Sequence, residues 1–496
     1  MNPTLPRVYA LAAASFIAAY FVYFSIGSLL AEFTHDDLMN CYRAWIAPFP
    51  ELLTDNLLFF RFTPTYRPFG AVLYKLSFGL FGFELFPLRV LLLLVLAANV
   101  FLIYKISRIL TGSVEVGLFA ALLHAYHMKL APLLYNTGTL YDIFAFFFYF
   151  AAVAFYVSIR RSGKNLHALQ GLVFLALYIL ALDSKELAAS LPLTLIAYEL
   201  LWHPPSLNKP ALLHCCTRQT WLIWVMAAMT VAFAIGRVFN EDAGISSLGR
   251  YGVTVSAGEY LNKTAFYLNE FFYSTWFDAT RVGVFAVLLL AAGALSRSRA
   301  LAFGAVVFFG GILPMAFIDP RALSAVYIPL AGLSIYGGVL LGFACNRLRR
   351  MFARQAWQIA AFFAVFGLTG LFLIRVHPHN LHIYAAYTAP YSQIRDAREQ
   401  LQRLHPDFPI GSSVLVVDTP FPQYSPGYNN LFLMRLAYHD ESLNVQEKAM
   451  LEKNQEPLVP TNYNYLLSYE NGRWFDVDPP TLEAGQPGTP AATNAR

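Results

Sequence analysis

Repeated apolar runs of about 17–23 residues constrain this chain more than any other feature. Runs of that length match the hydrocarbon core of a bilayer. In lipid the backbone can satisfy its own polar groups only as a helix or a closed barrel. The 496 residues are 57% hydrophobic and 13% charged, where soluble domains carry about 25% charged residues. Mean hydropathy is +0.48. A single water-soluble core is excluded, and a polytopic helical membrane protein is expected.

Spans are expected near 8–30, 87–107, 114–130, 139–158, 166–183, 187–202, 220–239, 280–296, 300–318, 323–344 and 357–375, about eleven in all. The first follows only Arg7 and lacks a small-residue cleavage site, so it reads as a retained span and not as a removed signal peptide. The run 69–83 is apolar but short and carries Lys75. It reads as a helix lying along the membrane surface. Tyr and Trp near run ends fit interfacial anchors.

Orientation follows from the basic residues. Arg7, Lys105 with Arg108, Arg160 with Arg161 and Lys164, Lys209 with Arg218, Arg297 with Arg299, and Arg347 through Arg354 fall on alternate connections. Short connections on the other side hold single basic residues: Lys129, Lys185 and Arg321. The positive-inside rule then puts the N-terminus in the cytoplasm and the C-terminal region outside. The long loops 31–86 and 240–279 lie on the outer side. The expected architecture is an all-α polytopic transmembrane domain over 1–376 with a small C-terminal α/β extracytoplasmic domain over 377–478. In the latter, 389–404 reads as a polar helix and 412–420 as a short buried strand. Residues 426–440 read as an amphipathic helix, and 465–477 as a hairpin about Asn471-Gly472. The stretch 479–496 is low-complexity and expected to be disordered.

Beyond the first run stand His35, Asp36 and Asp37. Adjacent carboxylates at the mouth of a span are costly to dehydrate and repel each other. Such a pair persists where it takes a proton, holds a cation or binds a polar ligand; a solvated loop start is the plainer alternative. The four cysteines, Cys41, Cys215, Cys216 and Cys345, have no zinc spacing and read as small hydrophobes. His377, His379 and His382 directly follow a span and read as solvated interface. Asn262-Lys263-Thr264 is a glycosylation sequon that matters only in a eukaryotic secretory compartment. There is no basic stripe for nucleic acid and no phosphate loop in a convincing context.

The order of the carboxylate pair, YRPFGAVLYKLSFGLFG (66–82), YNTGTLYD (135–142), DSKELAASLPLTLIAYELL (183–201) and PRALSAVYIPLAG (320–332) resembles the GT-C superfamily of polytopic glycosyltransferases. The likeness is to the protein O-mannosyltransferase-like branch, including the transmembrane-and-TPR O-mannosyltransferases and the aminoarabinose transferases. It covers roughly residues 1–345. The TPR array is absent, so a protein acceptor is not implied. The resemblance implies a polyprenyl-phosphate-linked sugar donor and an acceptor, whether lipid, glycan or protein, on the extracytoplasmic side. It places the chain in a membrane such as the bacterial inner membrane.

Carried over, an acidic residue of the first outer loop, Asp36 or Asp37, activates the acceptor hydroxyl as general base. Asp36 is the preferred base, with Asp37 in support and His35 available to orient the pair. The leaving lipid phosphate needs cations. Arg67, Lys185 and Arg321 fall on outer connections. Their plainer readings are snorkelling for Arg67, a local ion pair with Glu186 for Lys185, and a headgroup anchor for Arg321. Asp142 and Glu186 are candidates for sugar hydroxyls. Tyr66, Tyr141 and Tyr327 are candidates for stacking or for the aromatic belt. No cofactor is implied, although Asp36 and Asp37 could together hold a divalent ion. The rival readings are a lipid-linked saccharide transporter, which would place ionisable groups at the midplane, and a non-catalytic assembly protein.

Overall fold

The computed structural model describes residues 7–57, 67–204, 220–239, 254–377, 381–422 and 427–478. Tyr66, Lys209, Cys215, Cys216, Arg218, His379 and the tail 479–496 lie outside the described residues. The chain forms two compact units. A helical unit takes Met1–Leu29, Pro48–Leu73 and Phe86–Tyr384. An α/β unit takes Leu30–Ala47, Tyr74–Leu85 and the chain from Ala385 onward. The α/β unit therefore includes the stretch with His35, Asp36 and Asp37, which the sequence reading grouped with the transmembrane part.

The helices run α1 (Arg7–Ser25), α2 (His35–Ile46), α3 (Phe49–Leu57), α4 (Pro68–Phe81), α5 (Phe86–Thr111), α6 (Val114–Ala125), α7 (Ala131–Tyr135), α8 (Leu140–Arg161), α9 (Ala168–Ser184) and α10 (Leu191–Trp202). They continue as α11 (Trp221–Phe239), α12 (Ala257–Phe272), α13 (Ala279–Leu295), α14 (Arg299–Ile312), α15 (Tyr327–Arg349), α16 (Gln355–Val376) and α17 (Leu381–Leu404). Among the described residues, five stretches are long and apolar enough to cross a membrane: Arg7–Leu30, Phe86–Thr111, Thr137–Arg161, Leu323–Arg349 and Gln355–Val376. Other expected spans fall on shorter apolar helices, such as Val114–Ala125 and Ala168–Ser184.

The shortening has a visible cause. At one end of the helical unit the chain turns through 3₁₀ segments: Met128–Leu130, Thr137–Thr139, Glu186–Ser190, Leu313–Met315 and Leu323–Val326. Glu186–Ser190 packs on Leu313–Met315, and Met128–Leu130 on Leu323–Val326. Non-helical backbone at membrane depth is tolerated only where protein or a cavity satisfies it. This turn-rich end is where a site can be built.

The opposite end is clamped. Arg160, in the last turn of α8, forks onto Glu199 of α10 at 2.7 Å (Nε–Oε1) and 2.8 Å (Nη2–Oε2). Tyr156 also donates to Glu199 Oε1 at 2.9 Å. Arg349 of α15 pairs with Glu115 of α6. Two residues counted as loop cations are thus committed to buried ion pairs. Between the ends, α14 and α15 approach through Gly304 and Gly332. A Cβ on Gly332 would lie 2.4 Å from the Gly304 carbonyl oxygen, and only small residues allow that contact.

The α/β unit continues as β1 (Ser413–Val416), α18 (Asn429–Tyr438), β2 (Asn444–Glu447), α19 (Lys448–Asn454), β3 (Tyr465–Glu470) and β4 (Arg473–Asp476). The sheet order is β2-β1-β3-β4. β1 pairs parallel with both β2 and β3, and β4 closes an antiparallel hairpin on β3. Asn471 and Gly472 both take positive φ, as a tight hairpin turn requires. One side of the sheet buries Val414, Val416, Met434, Leu443 and Trp474.

Candidate functional site: paired charges at the turn-rich end and a capped carboxylate pair

Pro68 opens α4, where a missing N–H costs nothing. Arg67, just before it, takes φ +70°, a left-handed conformation that an arginine adopts only against a steric cost. Its neighbours hold it there. Nε donates to Glu186 Oε1 and Nη2 to Oε2, both at 3.3 Å. The guanidinium also lies over the Tyr141 ring, 5.1 Å from its centroid. Gly70 makes this fit: a Cβ there would sit 2.0 Å from Tyr141 Cε1. Phe69 meets Phe144 and Phe148 edge-on.

Asp142 lies in the first turn of α8, where the helix dipole favours an anion. Lys185 is the extended C-cap of α9. Its ammonium meets Asp142 at 3.1 Å (Oδ1) and 3.2 Å (Oδ2). Both side chains are buried. Burial lowers the Lys185 pKa and nearby Arg67 adds to this, while Asp142 and Glu186 oppose it. The structure thus brings Arg67, Tyr141, Asp142, Lys185 and Glu186 together. Lys185 pairs with Asp142 and not with its neighbour Glu186. Successive side chains on extended backbone point opposite ways, so Glu186 turns to Arg67 instead.

Arg321 precedes the Leu323–Val326 turn at the same end, its backbone N–H donating to the Tyr267 hydroxyl at 3.2 Å. Tyr327 is not a sugar platform. Phe146 covers one contact at 4.3 Å between centroids and His124 another at 5.1 Å, both stacked, and the residue is buried.

In the α/β unit, Thr34 caps α2. Asp37 N–H donates to Thr34 Oγ1 at 3.1 Å, and Thr34 N–H donates to Asp37 Oδ2 at 2.8 Å. This is a capping box with aspartate in the usual Glu/Gln position. Tyr74 of α4 donates to Asp37 Oδ1 at 2.6 Å. The next residue, Lys75, donates to the carbonyls of Ala44, Trp45 and Ala47 at 3.2, 2.7 and 2.8 Å. Two neighbours in sequence thus hold both ends of α2. Lys75 serves as its C-terminal cap.

Asp37 is fully buried, whereas Asp36 is exposed and makes no hydrogen bond or ion pair among the described residues. His35, expected to orient the pair, is buried. It meets Phe421 edge-on at 5.1 Å, and burial pulls its pKa down to about 4. The pair also does not fit a divalent ion. Both Asp37 oxygens already accept hydrogen bonds, and no three His, Cys, Asp or Glu side chains among the described residues group as ligands. Tyr74, Thr34 and Gly70 escaped the sequence reading. The pattern Thr34-x-x-Asp37 was a legible capping signal.

Long apolar helices with a bent, charge-bearing end define an integral-membrane class of protein. Residues 64–217 match the family described as Dolichyl-phosphate-mannose-protein mannosyltransferase. The match covers about a third of the chain and makes that part similar to a GT-C, mannosyltransferase-like family. The matched segment holds Arg67, Tyr141, Asp142, Lys185 and Glu186, and not Asp36 or Asp37. None of the curated proteins matches the chain.

Proposed function

We propose that the chain transfers a sugar from a polyprenyl-phosphate carrier to an acceptor hydroxyl on the extracytoplasmic side, inverting the anomeric centre. The acceptor oxygen attacks the anomeric carbon. The carbon–oxygen bond to phosphate breaks, and its electron pair leaves on the phosphate. The acceptor proton passes to Asp36. Asp37 is the positioning partner, since its oxygens are taken up by Thr34 and Tyr74. Lys185, Arg67 and Arg321 meet the charge that develops on the phosphate. Tyr141 and Glu186 hold Arg67, and Asp142 holds Lys185. The α/β part helps select the acceptor. The turn-rich end faces outward from a plasma membrane of bacterial type, an orientation that the basic connections support.

One observation carries this reading: the half-buried Arg67–Glu186 pair, with Arg67 over Tyr141, and the buried Lys185–Asp142 pair of the adjoining residues both fall within the family-matched segment. The test is reconstitution with a panel of labelled polyprenyl-phosphate sugars. The wild type is expected to turn over at least one carrier, and Asp36→Asn to be slower by about 10²–10⁴-fold. Equal rates would remove the assigned base. Carrier crossing the bilayer without transfer to any acceptor would favour a transporter instead. A reporter fused after residue 400 should read out outside the cytoplasm; a cytoplasmic signal would invert the topology.

A further inference from the structure

The α/β unit contains a cavity of about 290 Å³ between α18, the edge strand β2 and α19. Its size suits a single small ring, at the lower end of ligand pockets. Its walls combine two kinds of surface. The apolar part is Leu431, Val445 and Met450, with the ring of Tyr428, which is 58% exposed. The polar part is Asn444, Gln446, Asn454, Arg435 and Glu447.

These side chains are held in place. Glu447 is buried, and accepts from Asn430 Nδ2 at 2.7 Å and from Gly427 N–H at 3.3 Å. Gln446 Oε1 accepts from the Tyr463 hydroxyl. Arg435 Nε donates to the Leu443 carbonyl at 2.8 Å.

Carboxamides each offer donors and an acceptor, arginine only donors, and a carboxylate only acceptors. A phosphate or carboxylate would meet Glu447 and Glu456, which also lines the cavity. A simple cation would meet Arg435 and leave the amides idle. A ring of hydroxyls, each both donor and acceptor, matches the polar wall, and its C–H face matches the exposed tyrosine. We propose that this cavity binds a pyranose unit of the acceptor, which is therefore a saccharide or glycolipid.

The link to the reaction runs through α18. Arg435 donates to the Tyr42 hydroxyl of α2 and lies over that ring, and Phe432 stacks on Tyr42 at 5.0 Å. The helix that walls the pocket is the one that packs on the helix carrying Asp36. The acceptor role rests on the glycosyltransferase reading; binding in the pocket does not.

The experiment is saturation-transfer NMR on the full chain in detergent, with methyl glycosides of mannose, glucose, galactose and N-acetylglucosamine and with maltose. At least one should bind the wild type, and Tyr428→Ala should weaken it about tenfold or more. Tyr428 is exposed, so its loss does not threaten the fold. Asp36→Asn should bind normally while losing transfer. No binding across the panel, or undiminished binding by Tyr428→Ala, overturns the inference. If the wild type transfers sugar yet binds no glycoside, the pocket falls and the transferase reading stands. If glycosides bind in a Tyr428-dependent way but no carrier is ever turned over, pyranose binding stands and the transferase reading falls.

Discussion

Helix α8 carries an ion pair at each end, and the two are built differently. Arg160, in its last turn, meets Glu199 through short parallel bonds of 2.7 and 2.8 Å, from one regular helix to another. Asp142, in its first turn, meets Lys185 at 3.1 and 3.2 Å, and the adjoining Arg67–Glu186 fork is 3.3 Å long. The second set stands on an extended cap, a 3₁₀ turn and a left-handed arginine. Short charge-assisted bonds are the strong ones. The first end therefore serves as a clamp. The second keeps charges desolvated and near one another without spending their full attraction, which suits groups that must accept a charged ligand. Strained backbone at such a place points the same way.

The comparison breaks first, and most visibly, on stability. Glu199→Ala should destabilise the protein by about 3–5 kcal/mol, because an arginine cannot shed its charge and Arg160 would be left buried without its carboxylate. Lys185→Ala should cost much less, since the orphaned Asp142 can take up a proton. It should instead weaken binding of the polyprenyl-phosphate donor by about tenfold or more, the worth of one charge-assisted bond. Thermal unfolding and donor binding measured on both variants decide the matter. Equal loss of stability with unchanged donor affinity would make the two ends the same kind of structure.

A smaller effect sharpens the contrast at Arg67. Arg67→Gly removes the fork to Glu186 and the contact with Tyr141, yet it also relieves the positive φ that only glycine takes without cost. The two terms oppose each other, so stability should move by less than about 1 kcal/mol, while donor binding falls. A loss of several kcal/mol would mean that the fork is a clamp like Arg160–Glu199.

The sequence made some of this legible and hid the rest. Apolar runs announced the long helices, and Asn471-Gly472 announced the β3–β4 hairpin, because both signals are local. Span number was not legible in the same way, because Glu186–Ser190 and Leu313–Met315 shorten helices by 3₁₀ turns that leave no mark on hydropathy. YRPFG was readable as a motif, but the role of its glycine depends on Tyr141, far along the chain. The partner of Lys185 lies 43 residues away, whereas the plainer reading of the sequence paired it with the adjacent Glu186. Asp36 was the preferred base and Asp37 its support, but no local signal showed how differently the two are held. What separates them is a tyrosine from another helix and a cap that Thr34-x-x-Asp37 writes in the sequence.

In the α/β unit a buried histidine, and not an ion pair, sets the expected effect. His35 is buried against Phe421, and its pKa falls from 6.5 to about 4 because burial disfavours the charged ring. Between those values the unfolded chain binds a proton that the folded chain refuses. Stability should therefore rise with pH across about 4 to 6.5, and the contribution should be lost as pH falls through that window. Above it both states are neutral and the slope from this group vanishes. Replacing His35 by Gln keeps a polar side chain and removes the titration. Unfolding measured against pH should then flatten in that interval relative to wild type. An unchanged slope would mean that the ring is already wet, and that α2 is not seated on the loop after β1 as the Phe421 contact requires.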